Sequence, residues 1–494
     1  MKKLLIFILG GITLFSCKKN LSDLNQDPKH PTEVPAATLL TAAQKSLGDV
    51  MGTPDYAFNP FNLFAQYWTQ TTYTEESNYD MQFHSVPDNL WRALYSQAWM
   101  VSAPNPDVYS EILSALHAAK VGLQKDNSPA NETAKQNQLA VVDLLMVYAW
   151  STLVNVYGDI PYTQALDPDN LQPAYDDAAT IYDDLLKRID NDLDQIDIND
   201  EGFGSADVIY YGDMNAWLKF ANSLKLKLGM MLADVNPSKA ATVVSEAASA
   251  DIFSSNDDNA LLRYESVTPN TSPLYIQLVT TGRKDFVGCS TLIDAMNALN
   301  DPRIGMYYTD SAEAGEGNYA GAPYAENNSY GAWSHIGDML LDPQFPTDLL
   351  DYTEVELLLA EAAERGFSVS GSAEEHYNNA IRASIAYWGG SDADADDYLA
   401  QEAVAYTTAA GSWREKIGTQ KWIALYNRGL DAWTEWRRLD YPVLTPPAGM
   451  SQSDIPVRLT YPVAEQNLNG SNYNAAAAHI GGDRTSTKLF WDVR

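Results

Sequence analysis

The chain reads as all-α (mainly α): a body of about four degenerate tetratricopeptide-like helix pairs carrying long irregular loops. Three observations predict this. A second-helix pattern recurs as Ala178-x3-Tyr182-x2-Leu185-Leu186, Ala240-x3-Val244-x2-Ala247-Ala248 and Ala373-x3-Tyr377-x2-Ala380-Ile381. A strongly helical stretch precedes each copy, at 138–158, from Trp217-x2-Phe220-Ala221-x2-Leu224, and at 354–366. Helical rhythm fails where Gly, Asn, Tyr and Trp crowd together, around 64–83 and 261–350. Small residues at the recurring positions let two antiparallel helices approach, while the large one fills the groove beside them.

The N-terminus comes first. Lys2 and Lys3 precede twelve almost wholly apolar residues, Leu4 to Phe15. Twelve helical residues rise about 18 Å against a hydrocarbon core about 30 Å thick, so the run describes a secretory signal peptide rather than an anchor helix. Leu14-Phe15-Ser16-Cys17 resembles a bacterial lipobox, which makes Cys17 the expected lipid attachment point and 1–16 the leader. Several acyl chains hold a protein to a membrane durably where one chain is marginal. Residues 17–35, rich in Asn, Asp and Pro, read as an extended tether. Regular structure starts near Ala36, where "AATLLTAAQKSL" shows helical spacing. The remainder, 36–494, reads as a single body with a loop-rich insertion at about 261–350.

Charge narrows the partners. Losing Lys2 and Lys3 with the leader takes the net charge from −33 to −35, which argues against nucleic acid and against adhesion to anionic lipid by charge alone. Cys289 is the one cysteine besides Cys17, so the body has no intrachain disulfide available. No later apolar stretch reaches spanning length.

Enzymatic motifs are missing: there is no H-E-x-x-H, G-x-S-x-G or G-x-x-x-x-G-K-[ST]. "GEGNYAG" lacks the third glycine of a dinucleotide fingerprint, and six histidines are scattered without ligand spacing. Glu354, Glu356, Glu361 and Glu364 lie on a predicted helix as a solvated face. "DNDLDQIDINDE" (190–201) has acids at calcium-loop positions 1, 3, 5 and 12, but Gln195 stands where the turn needs Gly. An apolar face also runs straight through it. The expectation is a binding protein with no catalysis, cofactor or metal.

The aromatic segments suggest the ligand. Sugars present flat C–H faces ringed by hydroxyls, which Tyr and Trp faces and Asn side chains complement. Trp68, Tyr73, Asn78 and Tyr79 in the first segment have this character, as do Tyr324, Asn327, Tyr330 and Trp333 in the second. Trp422, Trp433, Trp436, Arg437 and Arg438 sit on a periodic helix and read as core with flanking ion pairs.

Several blocks then carry a resemblance: "LSDLNQDPKHPTEVP" behind the lipobox, "LVNVYGDIPYTQAL" (153–166), "AWLKFANSLKLKLGMML" (216–232), "QKWIALYNRGLDAWTEWRRLDYPVL" (420–444), "IPVRLTYPVAEQNLNGSNYNAA" (455–476) and "GGDRTSTKLFWD" (481–492). In this order they resemble the SusD/RagB family of outer-membrane nutrient-binding lipoproteins, nearest its SusD-like branch. The resemblance implies four tetratricopeptide-like units and a surface that captures an oligosaccharide or a peptide. It also implies a SusC-like TonB-dependent outer-membrane transporter as partner, with the body lipid-anchored and facing the cell exterior. Surface-exposed members often carry acids right after the lipidated cysteine, where Lys18 and Lys19 stand here. A lipid-anchored adhesin using its helical repeats to hold another protein is the alternative reading.

Overall fold

The computed structural model describes residues 34–96, 98–99, 109–126 and 132–494. The leader, Cys17 and residues 18–33 of the tether lie outside these. The principal helices are α1 (Ala36–Gly52), α2 (Val86–Tyr95), α3 (Leu113–Lys125), α4 (Glu132–Tyr157), α5 (Ala178–Gln195), α6 (Met214–Met231) and α7 (Pro237–Ala248). They continue as α8 (Ser290–Ala298), α9 (Tyr352–Glu364), α10 (Ala373–Tyr387), α11 (Asp392–Leu399), α12 (Trp413–Ala424), α13 (Gly429–Leu439) and α14 (Gly470–His479).

Consecutive helices pack as hairpins: α4 on α5, α6 on α7, α9 on α10 and α12 on α13, while α1 packs on α3. The recurring small residues lie at these contacts, with Ala178, Ala240, Ala247 and Ala380 buried. Gly229 shows how close the approach is, because a Cβ there would lie 2.8 Å from Val243 Cγ1 on the facing helix. The helix starts are written locally. Asp177 and Asn236 accept the backbone N–H of Thr180 and Lys239, and Ser372 forms a reciprocal box with Glu375. Helix α4 corrects the expectation that no later apolar stretch is long enough to span a bilayer: it is so by length and composition, but 94% of its most apolar 18-residue window is buried inside the body. Helix α5 continues through Gln195, so residues 190–195 are helical rather than a cation loop.

The α9 acids correct the sequence reading. Glu354, Glu356 and Glu361 are buried, not a solvated face. Glu354 pairs with Lys227 of α6 at 3.0 Å and with Arg428 at 2.6 Å, and Glu361 pairs with Arg438 and Arg365. Arg438 also meets Glu435, which Lys421 approaches at 2.8 Å. Lys227 lies on α6, Lys421 on α12, Arg438 on α13 and Arg428 just before it, all far from α9 in sequence, while Arg365 lies one turn beyond Glu361; together they close a charged seam through the helical layer. Trp422 and Trp433 are buried as expected, and the Arg437 guanidinium lies 3.5 Å from the Trp433 ring centroid.

Strand is sparse. Among the described residues eight short strands, β1 (Trp68–Gln70), β2 (Ala98–Trp99), β3 (Tyr109–Ser110), β4 (Ile160–Pro161), β5 (Tyr175–Asp176), β6 (Ala260–Leu262), β7 (Phe286–Gly288) and β8 (Thr347–Leu350), form four antiparallel ribbons. β1 pairs β7 with Trp68 opposite Gly288, and β6 pairs β8. These ribbons organise the 261–350 insertion and tie it to the segment after α1.

Candidate ligand face

The β1–β7 ribbon brings the two aromatic segments together. Thr71 donates its backbone N–H to Asp285 O (2.7 Å) and its hydroxyl to Lys284 O (2.9 Å), and its own carbonyl accepts Asn328 N–H at 3.0 Å. The Asn78 amide donates to Ala325 O at 3.0 Å, and Thr69 Oγ1 accepts Ala325 N–H at 2.9 Å. Gln70 holds the intervening turn from within, accepting from Ser77 N–H and donating to Glu76. The segments therefore share one face.

Within that face the eight candidate residues divide. Trp68 is 1% exposed and donates its indole N–H to Tyr426 Oη at 2.9 Å, so it anchors the ribbon and offers no ring to solvent. Tyr324 is also buried, its ring 6.2 Å from that of Tyr79. Tyr79 is half-buried against Phe64, and burial pushes its phenol up to about 12. Asn78, half-buried, fastens the two segments together. Tyr73 is 63% exposed, Asn327 is exposed, and Tyr330 and Trp333 are half-buried. Tyr73, Asn327, Tyr330 and Trp333 thus reach solvent in whole or in part, while Trp68 and Tyr324 do not.

Sequence reasoning missed their neighbours. Tyr330 stacks on His335 with centroids 4.0 Å apart and planes 16° from parallel, and Lys284 Nζ lies 5.6 Å over the Tyr330 ring. Arg283 lies 5.3 Å over Tyr56, whose ring is 4.8 Å from His84, and Phe83 beside it is 65% exposed. An adjacent Arg283-Lys284 in a chain of charge −33 was the available signal. The backbone is strained here too. Among the described residues nine non-glycine positions have positive φ, and Gln66, Tyr73, Tyr79, Asn300 and Ala325 belong to these two segments. Such strain persists where surrounding structure over-determines it and clusters at ligand clamps.

A second constellation, Asp159, Asp177 and His479, places three ligand-capable atoms within 4.8 Å of one another. Its oxygens already serve the start of α5: Asp159 accepts Ala178 N–H and meets His479 Nδ1, and Asp177 accepts from Thr180. Cys289 is buried, and burial pushes its thiol up to about 11.

The SusD-like family, described as starch-binding and associating with the outer membrane, matches residues 28–462, and the chain belongs to it. Among solved structures, a chitin-binding protein is 27% identical, with a TM-score of 0.78 over 93% of this chain and all of its own. A SusD homologue from Bacteroides uniformis is 24% identical, with a TM-score of 0.76 over 92% of this chain and 99% of its own. A chitin-binding SusD homologue from Flavobacterium johnsoniae is 20% identical, with a TM-score of 0.74 over 92% and 99%. No curated protein matches the chain.

Proposed function

We propose that this protein is a lipid-anchored capture protein of the outer membrane that binds an oligosaccharide on the face formed by the two converging loops. It performs no chemistry of its own and passes its catch to a SusC-like TonB-dependent transporter. One observation carries the reading: the β1–β7 ribbon joins the two segments that carry Tyr73, Asn327, Tyr330 and Trp333, all of them exposed or half-buried, while Trp68 and Tyr324 beside them in sequence are buried. Flat aromatic faces beside amide and basic donors suit a sugar ring, whose C–H faces stack while its hydroxyls accept. Family membership supports the sugar class, and the name of the 27% identical relative makes chitin oligosaccharides the first ligands to try. Cys17 is the proposed lipid site and the cell exterior the proposed side.

Titration calorimetry of the protein against chitin- and starch-derived oligosaccharides and a panel of peptides tests this. Saturable sugar binding that weakens in Tyr330→Ala supports it; binding of peptides alone moves the ligand to the peptide class. For the anchor, Cys17→Ser protein that stays membrane-bound through a high-salt wash overturns the lipid reading. For the partner, a transporter-sized barrel is expected to copurify in mild detergent.

A further inference from the structure

One buried histidine ties helices α9 and α10 to the turn that joins them. His376 of α10 is 8% exposed, and both of its ring nitrogens face oxygen. Nδ1 lies 2.6 Å from Glu356 Oε2 on α9, and Nε2 lies 2.6 Å from the carbonyl oxygen of Ser370 in the turn. The turn is pressed against the ring: a Cβ on Gly371, held at φ 81°, would lie 2.9 Å from Nε2.

A carbonyl oxygen only accepts, so Nε2 carries a hydrogen. A bare Nδ1 would set its lone pair against a carboxylate, so a second hydrogen lies between Nδ1 and Glu356. The pair therefore holds one proton more than a neutral imidazole beside a carboxylate. Glu356 is itself buried, and His376 is its one ion-pair partner among the described residues. Asn379 of α10 reaches Glu356 Oε2 at 3.5 Å, and Tyr352, one turn earlier on α9, also meets this carboxylate. The charged groups facing the ring, Glu356 from α9 and Glu375 from α10, are both acids. Burial pushes the His376 imidazole down, but its bonds to Glu356 and Ser370 and the two acid charges more than reverse this, so it ends above 6.5.

We infer that His376 is a proton-operated clasp on the α9–α10 pair: with both hydrogens in place it locks the turn, and on losing one proton to solvent it lets Ser370 go. A neutral imidazole has a single N–H and serves only one of the two acceptors. The buried carboxylate is the stronger claimant, because bonds to ionised acceptors are the stronger ones and exposed Ser370 can turn to water. The ring then keeps Nδ1–H on Glu356, and a bare Nε2 faces the Ser370 carbonyl. Phe367 and Ser368 stay tied by N–H bonds to Ala362 O and Ser245 Oγ, and Ser372 still caps α10, so the opening is confined to the middle of the turn. A folded value above the unfolded one makes the contribution of the clasp complete below 6.5 and lost as pH rises past the folded value.

NMR of the full chain with 15N-labelled histidine, using His376→Gln to assign the signal, tests this. The titration midpoint of His376 is expected above 6.5, and beyond it the remaining hydrogen is expected on Nδ1. Hydrogen exchange across residues 366–372, corrected for its intrinsic rise with pH, is expected to speed up through the same midpoint. Glu356→Gln keeps the size of the side chain and removes the acid, so it is expected to lower the midpoint. The gap in urea midpoint between wild type and His376→Gln is expected to narrow from about pH 6 to about pH 9. Should His376→Gln fail to fold by circular dichroism, Glu356→Gln assigns the signal by its shift and the exchange data decide. A midpoint at or below 6.5, a remaining hydrogen on Nε2, turn exchange that ignores the transition, or a gap that does not narrow overturns the inference.

Discussion

The charged seam of the helical layer and the loop face use similar side chains to opposite ends. In the seam, Arg428 and Arg438 are buried and each meets two or more carboxylates, and Trp433 donates its indole N–H to Pro456 O. On the loop face, Lys284 and Arg283 lie over tyrosine rings at the surface, and Tyr73 and Phe83 point to solvent. Buried polar groups must be matched, because a lone one carries its whole desolvation cost. Exposed aromatic faces stay unmatched until a ligand covers them. Partner count therefore separates scaffold from the proposed binding surface where residue type does not.

Truncations are expected to break the scaffold side hardest. Glu361→Ala strips Arg438 and Arg365 of a buried partner, and such losses cost about 3–5 kcal/mol; urea denaturation measures it. Trp68→Ala empties a buried ring site at the ribbon, at a similar cost of about 3–5 kcal/mol. A melt unchanged in either variant erases the distinction between the two regions.

Acid probes the same seam more gently, since protonation leaves both partners in place. Burial pushes the Glu361 and Glu435 carboxyls up, and the Arg438 charge and hydrogen bonds more than reverse this, with Lys421 aiding at Glu435. Both end below the usual carboxylate range. Their contribution is thus complete above the unfolded value near 4.5 and is lost as pH falls from there toward the depressed folded values. The urea midpoint of the wild type is expected to fall between pH 5 and pH 3, with a shallower fall in Glu435→Gln (the pH range follows from about 4.5 as reference).

On the loop face the order of effects inverts. Tyr330→Ala is expected to lower oligosaccharide affinity by about thirtyfold, or about 2 kcal/mol, with little change in melting temperature. Tyr73→Ala, the mildest, is expected to stay within about 0.5 kcal/mol of wild-type stability. A large stability loss at Tyr73 makes it scaffold after all.

The helix pairs were legible in the sequence because close packing demands small residues at fixed spacing, and Ala178, Ala240 and Ala380 announce it. Strands of two to four residues are too short to show a period of two, so β1 and β7 went unseen, and with them the joining of the two segments. Glu354 and Glu361 read as surface because their cations arrive from Lys227, Arg428 and Arg438, residues no local window contains. Composition picked out two segments that the β1–β7 ribbon joins. It did not sort Trp68 from Trp333, because burial is decided by the partner strand rather than by the neighbours in sequence.

The pairing of Trp68 with Gly288 has a consequence for how the chain becomes competent. The loop face needs residues from both ends of a very long chain closure, and such non-local contacts form late because the entropy of closure precedes their reward. A nascent chain ending before residue 335 lacks His335, the stacking partner of Tyr330, however well its first helix hairpins have formed. The capture ability proposed for this face thus arrives after the scaffold, so a ligand-binding assay doubles as a report that folding has gone to completion.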